Sequence, residues 1–290
     1  MAIDLGHLLA SFGGGIIGAA IGGVNAFVMT GMLVLVGVAA GFFGQPQAAA
    51  ILNSVAFGPV IAPHIAFAGG AAALAYASAK GLDVNGKDAT VPLAKLNRPD
   101  VLIVGGVFGV LGYLLNSFWV SIALKTDTIA LTIILSNMLA RALFWKEGPF
   151  GTLPDDLKEK GFAGQFVVRE GRCWLPWQKD FMQLFVIGLG FGLPAGFVAI
   201  ATGKPVLAFG IAGAYLVIGQ KPGFPVVHHV MLPAALAAQA TGSVLMGGVF
   251  GVLGALFGEL AARLFFNHGK SVIDPPSVAI AILTTIILFM

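Results

Sequence analysis

Charge is scarce in this chain. Lys and Arg number 16 and Asp and Glu 13 among 290 residues, whereas a globular domain carries about 25% charged residues. So few charges cannot cover a water-facing surface of ordinary size. Cysteine is nearly absent: Cys173 stands alone, which excludes an internal disulfide and a metal site of clustered thiolates. The sequence Gly13-Gly14-Gly15 lacks the Lys-Ser/Thr that completes a phosphate-cradling loop, so ATP-driven transport by this chain alone is not expected. There is no Gly-x-Ser-x-Gly elbow, no His-Glu-x-x-His pair and no ladder of arginines, and hydrolase chemistry and voltage sensing fall with them. No cofactor and no metal are expected. The start, Met1-Ala2-Ile3-Asp4, lacks the basic region of a cleavable signal, so the first apolar segment is expected to be retained.

Apolar residues and glycine are abundant. AVILMFWYC residues make up 58% of the chain and Gly occurs 41 times. Apolar runs of about 20 residues span a bilayer, and small residues let helices approach closely in lipid. Ten segments are expected to span: 8–25, 27–43, 57–79, 101–124 and 127–145, then 181–201, 204–219, 224–239, 241–266 and 273–290. This list has an internal check, because Lys and Arg collect in loops on the cytoplasmic side. One side holds Lys80, Lys87, Lys95, Arg98, Arg141, Lys146, Lys158, Lys160, Arg169, Arg172, Lys179, Lys221, Arg263 and Lys270. The other holds only Lys125 and Lys204, which completes the 16. The 80–100 and 146–180 loops are therefore expected to be cytoplasmic, with both termini outside, in the plasma membrane. Trp145, Trp174 and Trp177 flank the large loop, where interfacial tryptophans belong. The net charge of +3 comes from these loop residues and gives no reason to expect a nucleic-acid partner. The run Asp155, Asp156, Lys158, Glu159, Lys160 reads as a solvated loop face.

The octapeptide GGVFGVLG occurs at Gly105–Gly112 and again at Gly247–Gly254. Two further likenesses come in the same order. Thr30-Gly31 with Val34-Leu35 resembles Thr202-Gly203 with Val206-Leu207. Phe57-Gly58-Pro59-Val60-Ile61 with His64 resembles Gly223-Phe224-Pro225-Val226-Val227 with His228-His229. Self-similarity in register marks an internal repeat. Five spans per unit is odd, so two units in series must enter the membrane in opposite senses. The expected fold is an all-α integral membrane protein of about ten segments, built as two inverted five-span repeats with short broken or re-entrant helices. Repeat one covers 1–145 and repeat two covers 181–290, joined by a cytoplasmic loop at 146–180.

Paired Gly/Pro-interrupted segments at matching places in inverted halves point to a substrate pathway. Here they are Gly44-Gln45-Pro46 through Asn53, Pro59 and His64, matched by Gln220 through Pro225, His228, His229 and Pro233. Proline breaks the helix ladder, and open backbone at membrane depth must line protein or a wet cavity. Asn53, Pro59, His64, Gln220, Pro225, His228 and His229 are the expected pathway residues. Glu259 is the acid deepest within an expected span, where acids are rare and functional. Arg263 lies one turn on, at the spacing of an ion pair. Ser117 is the repeat counterpart of Glu259 and stands beside Asn116. These residues, with Asn137, are candidates for ion coupling. Arg141 shares a face with Asn137 and is expected to snorkel to the surface.

The run FGPVIAPHIAFAGGAAALAYA followed by the octapeptide stretch resembles a group of uncharacterised prokaryotic membrane proteins, found notably in archaea. That resemblance covers most of the chain and implies no activity. The architecture of two inverted five-span units with short broken helices is similar to that of urea transporters. Their Leu-Pro-x-x-Thr-x-Pro-Phe type motif is absent, so only a fold is implied. The expected function is a channel or secondary transporter for a small neutral or weakly charged solute or ion. The alternatives are a membrane-embedded enzyme, or a lipid- or metal-handling protein using the intramembrane histidines, and a structural subunit. The lipid bilayer is the expected partner, and a homo-oligomer is compatible with so compact a chain.

Overall fold

The computed structural model describes residues 4–290. Met1–Ile3, on which the expected retention of the first segment partly rests, lie outside the described residues. Among the described residues the chain is helical, with no strand beyond one isolated bridge between Arg169 and Arg172. In chain order the helices are α1 (Leu5–Ile21), α2 (Gly23–Phe42), α3 (Ala48–Ala50), α4 (Ala66–Ala79), α5 (Pro99–Ser121), α6 (Thr128–Ala140), α7 (Asp155–Lys158), α8 (Phe181–Thr202), α9 (Val206–Gly219), α10 (His228–Thr241), α11 (Val244–Ala261) and α12 (Pro275–Leu288). Widened π turns extend α3 to Ala56, α6 to Trp145 and α11 to Phe266.

Each of the ten apolar segments holds a helix, and five are long and apolar enough to cross a membrane: α2, α5, extended α6, α8 and extended α11. The rest are shorter than expected. Helix α1 has 17 residues, and α4, α9, α10 and α12 have 14 each. A 14-residue helix is about 21 Å long, against a hydrocarbon core of about 30 Å. Proline supplies part of the reason. Backbone at 57–65 and 220–227, with Pro59, Pro63, Pro222 and Pro225, is not helical, so α4 and α10 begin only after it. Before the first break, α3 and its π turn fold back on α2, where Leu52 and Ile51 lie against Gly37.

Each half is a three-helix core with a fourth helix laid over it. Helices α1, α4 and α5 pack together under α6, and α8, α10 and α11 pack together under α12. The octapeptide glycines make these cores possible. Gly15 lies on the Gly105 carbonyl and Gly109 on the Ser11 carbonyl; Gly192 lies on the Gly247 carbonyl and Gly251 on the Gly188 carbonyl. Gly112 then meets the carbonyl of His64, and Gly254 meets that of His229. His64 and His229 thus hold matching places, as the likeness of their surrounding sequences suggests.

Two helix pairs join the halves. Helices α2 and α9 run antiparallel, with Gly31 against Gly213 and Val34 against Gly210. The contact is reciprocal: a Cβ on Gly31 would strike Gly213, and one on Gly213 would lie 3.0 Å from the Gly31 Cα. This corrects one sequence likeness. Thr30 lies inside α2, whereas Thr202 ends α8, so the Thr-Gly pairs are not equivalent; Gly31 and Gly213 are. Helices α6 and α12 are also antiparallel. Thr126 donates to the Ala281 carbonyl (3.1 Å) and accepts from Thr285 (2.8 Å), while the Asn137 amide oxygen accepts from the Asp274 backbone N–H (3.2 Å).

The basic loops meet at one end of the bundle. Lys87 donates to the Asn267 carbonyl (3.3 Å), Val272 to Gly86 (3.2 Å), Thr152 to His268 (3.0 Å) and Lys270 to the Glu147 carboxylate (3.0 Å). Arg141 departs from expectation. It is fully buried at this end and donates to the carbonyls of Pro149 (2.8 Å), Phe265 (2.7 Å) and Ser271. Snorkelling fails because the π turn of α11 and the 267–274 turn present bare carbonyls that a planar guanidinium satisfies together.

Candidate functional site

A cavity of about 680 Å³ lies between the two halves. Its wall reaches from Asp127, Pro205 and Val206 at one end to Lys87–Thr90, Cys173, Trp174, Gln220 and Asp274 at the end where the basic loops meet. The lining is paired between the halves. Val24 and Val206, and Phe27 and Phe209, stand at the same offset along α2 and α9 as Gly31 and Gly213. Pro63 and His228, and Phe67 and Leu232, stand at the offset of His64 and His229. Asp127 and Asp274, Ala130 and Ser277, and Ile133 and Ile280 hold matching places on α6 and α12.

Most of this wall is apolar and aromatic. Phe27 is its hub: its ring centroid lies 5.4 Å from that of Phe209, 4.6 Å from His228 and 6.5 Å from Phe67. The two acids are helix caps. Asp127 accepts from the Ala130 backbone N–H (2.8 Å) and opens α6; Asp274 accepts from the Ser277 N–H (2.9 Å) and hydroxyl (2.6 Å) and opens α12. Both are half-buried and face the cavity as well as their helices. Nearby, Asp88 accepts from Thr90 through its backbone N–H (3.1 Å) and hydroxyl (2.5 Å).

The broken segments owe their shape to side chains that satisfy their backbone. Thr30 donates to the Ile61 carbonyl (2.7 Å). Buried Gln178 donates to the Val226 carbonyl and accepts from its N–H, both at 2.9 Å, and Trp177 donates to the Phe224 carbonyl (2.7 Å). An open backbone at this depth needs such partners.

Of the expected pathway residues, Gln220 and His228 line the cavity, and Gln220 donates to the Asn25 amide oxygen (3.0 Å). His64 and His229 sit one residue behind the lining. His64 is 2% exposed, and His229 is fully buried with its ring 5.6 Å from that of Trp174. Asn53 is exposed on the π turn after α3, and Pro59 and Pro225 belong to the breaks without reaching the lining. Glu259 and Arg263 form an ion pair (2.7 Å) away from the cavity, and Arg263 also reaches the carbonyls of Phe166 and Lys179 at 3.3 Å each. Asn116 and Ser117 lie on α5 outside the lining. Asn137 acts behind it by holding the backbone of Asp274.

Reading the sequence missed Asp127 and Asp274. A signal was present: each opens the last apolar segment of its half and precedes a Thr or Pro, an N-cap signature. At the loop end, burial pulls the Lys87 ammonium below its ordinary range, and the charges of Arg172 and Arg141 add to this. Burial likewise pushes the Cys173 thiol up, with the Glu259 carboxylate adding to it. Among the described residues no three His, Cys, Asp or Glu side chains converge as a metal site.

No curated protein and no solved structure matches the chain. One family model matches it twice, over residues 1–147 and again over 152–290, and the second match takes in most of the central loop. The chain belongs to this family, described as a family of unknown function, DUF7973.

Proposed function

We propose that the protein carries a small solute across a membrane through the cavity between its two halves. The observation that carries this reading is the paired lining: each half contributes equivalent residues to one cavity that reaches toward both ends of the bundle. Such a site at the meeting of two inverted repeats gives related routes to the two membrane faces. The reading takes the ten helices of the apolar segments, all but α3 and α7, as crossing or partly crossing segments. Helices α1 and α8, α2 and α9, α5 and α11, and α6 and α12 then run in opposite senses about a pseudo-two-fold axis in the membrane plane. The short helices α4, α10 and α12 begin inside the membrane, at the cavity.

The basic loops are then cytoplasmic and both termini outside, in the plasma membrane. A membrane-impermeant maleimide added to sealed cells should leave Cys173 unlabelled, whereas Lys125→Cys in a Cys173→Ser background should be labelled. The reverse pattern would overturn the orientation. For function, the purified chain in liposomes should raise the flux of small solutes above that of protein-free vesicles. A bulky maleimide on Cys173, which lines the cavity and is the chain's single cysteine, should lower that flux, and Cys173→Ser should abolish the block. Flux no greater than in empty vesicles across neutral, cationic and anionic solutes would sink the transport reading.

A histidine-based enzyme is less well supported. Of the three intramembrane histidines only His228 lines the cavity, and among the described residues no three His, Cys, Asp or Glu side chains converge around it.

A further inference from the structure

We infer that the solute is a protonated amine with an apolar or aromatic body, received at either mouth by one of two equivalent carboxylates, Asp127 and Asp274. This inference deepens the transport reading and rests on it. The charge of the lining decides the sign of the ligand. Three carboxylates, Asp88, Asp127 and Asp274, face the cavity against a single ammonium, Lys87. Lys87 is engaged by the Asn267 carbonyl and lies 5.0 Å over the Phe266 ring. Among the lining side chains a cation is therefore favoured over an anion, with Arg141 and Arg172 standing behind Lys87 at the loop end.

The body of the ligand follows from the walls. Phe27, Phe67, Phe209 and Trp174 line the cavity that both acids face. Aromatic faces attract cations and bury apolar groups. A cavity of this volume suits a small organic molecule rather than a bare ion.

A second observation points to a ligand in the cavity. His228 lines the cavity and is 8% exposed; its Nδ1 is sealed away without a partner among the described residues, which leaves Nε2 as the ring nitrogen that a ligand can reach. A buried polar atom of this kind is normally satisfied. The N–H of an ammonium group can donate to Nε2 in the tautomer that carries its proton on Nδ1.

The geometry also says why there are two acids. Asn137, which holds Asp274, lies ten residues along α6 from Asp127, so the carboxylates are about 15 Å apart along the helix axis. A small amine cannot touch both at once. Each acid serves one mouth, and His228 lies on the wall between the halves.

The test is calorimetric titration of the full chain in detergent with three ligands that share one body: phenethylamine, 2-phenylethanol and phenylacetate. Phenethylamine should bind and phenylacetate should not. Asp127→Asn and Asp274→Asn remove charge while keeping an N-cap acceptor of equal rank, so the helices retain their starts. The double variant should bind phenethylamine at least about tenfold more weakly, a loss of about 1.4 kcal/mol, with 2-phenylethanol unchanged. Phenylacetate binding as well as phenethylamine, or unaltered phenethylamine affinity in a folded double variant, would overturn the inference. The two readings fail separately. Asp-dependent amine binding without liposome flux would refute transport alone. Flux of phenethylamine that ignores both Asp→Asn changes would refute the amine site alone.

Discussion

Replacing Gly105 by alanine is expected to destabilise the protein by about 1–3 kcal/mol, the usual penalty for overpacking a tight contact. A Cβ at this position would lie 2.6 Å from the Gly15 carbonyl oxygen and 2.7 Å from the Ala19 Cβ. Carbon contacts are best at about 3.5–4.0 Å, so α1 and α5 would have to separate by close to 1 Å. A gap of that size forfeits roughly a quarter to a half of each neighbouring dispersion contact. Neither obstacle is the flexible end of a side chain; one is backbone and the other a fixed methyl. At the matching Gly247 the Cβ would lie 2.9 Å from the Gly196 Cα and 3.0 Å from the Gly192 oxygen, so the loss there should be smaller. Gly13 and Gly190 supply the control, since a Cβ on either meets nothing within 4 Å. Alanine at these two helical positions should be neutral or stabilising by up to about 1 kcal/mol through helix propensity. Equilibrium unfolding in mixed detergent micelles, followed by tryptophan fluorescence, measures all four. If Gly105→Ala proves as stable as Gly13→Ala, the octapeptide is not a packing element and the reasoning fails.

Gln178→Leu should leave both the N–H and the carbonyl of Val226 unpaired at depth, each costing about 1–3 kcal/mol. Faster amide exchange confined to residues 224–228 would show it, and unchanged exchange there would refute the clamp. Arg141→Met should lose about 3 kcal/mol or more by stranding the carbonyls of Pro149, Phe265 and Ser271. Lysine should not rescue it, because an ammonium lacks the planar fork; a Tm for Arg141→Lys equal to that of the parent would contradict this. Lys87 gives a pH signature. Its pKa lies below 10.5 in the folded chain because burial disfavours the ammonium. The unfolded chain therefore holds more protons between the two values, and stability should rise with pH as 10.5 is approached from below. Melting curves should show that rise in the parent and its loss in Lys87→Met. The same slope in both would remove Lys87 as its cause.

Much of the fold is legible in the chain because membranes make simple demands. The ten apolar segments each hold a helix, the basic loops gather at one end, and the proline breaks at 57–65 and 220–227 are real. What escaped has a common physical cause. Hydropathy reports that a residue avoids water and is silent on where its helix starts, so the 14-residue lengths of α4, α9, α10 and α12 could not be read from it. Arg141 was misread for a related reason: its partners are backbone carbonyls from segments far along the chain, which have no sequence signature.

The acids show the limit most clearly. Read locally, Asp127 and Asp274 are ordinary caps, and Glu259 looks more unusual because it lies deeper within an apolar run. The structure reverses that order. Glu259 is answered by Arg263 one turn away, a pairing any helix can make, whereas the caps face a shared cavity. The repeat could have exposed them only if followed by position instead of identity. Phe67 matches Leu232 and Pro63 matches His228, pairs with no common side chain, while the glycines that set helix spacing recur unchanged. Close packing tolerates glycine alone at such contacts, so duplication preserves the spacing and leaves the lining free to diverge. At Asp127 and Asp274 a lining position nevertheless keeps the same acid in both halves, where it caps its helix, complements the helix dipole with its charge and faces the cavity at once.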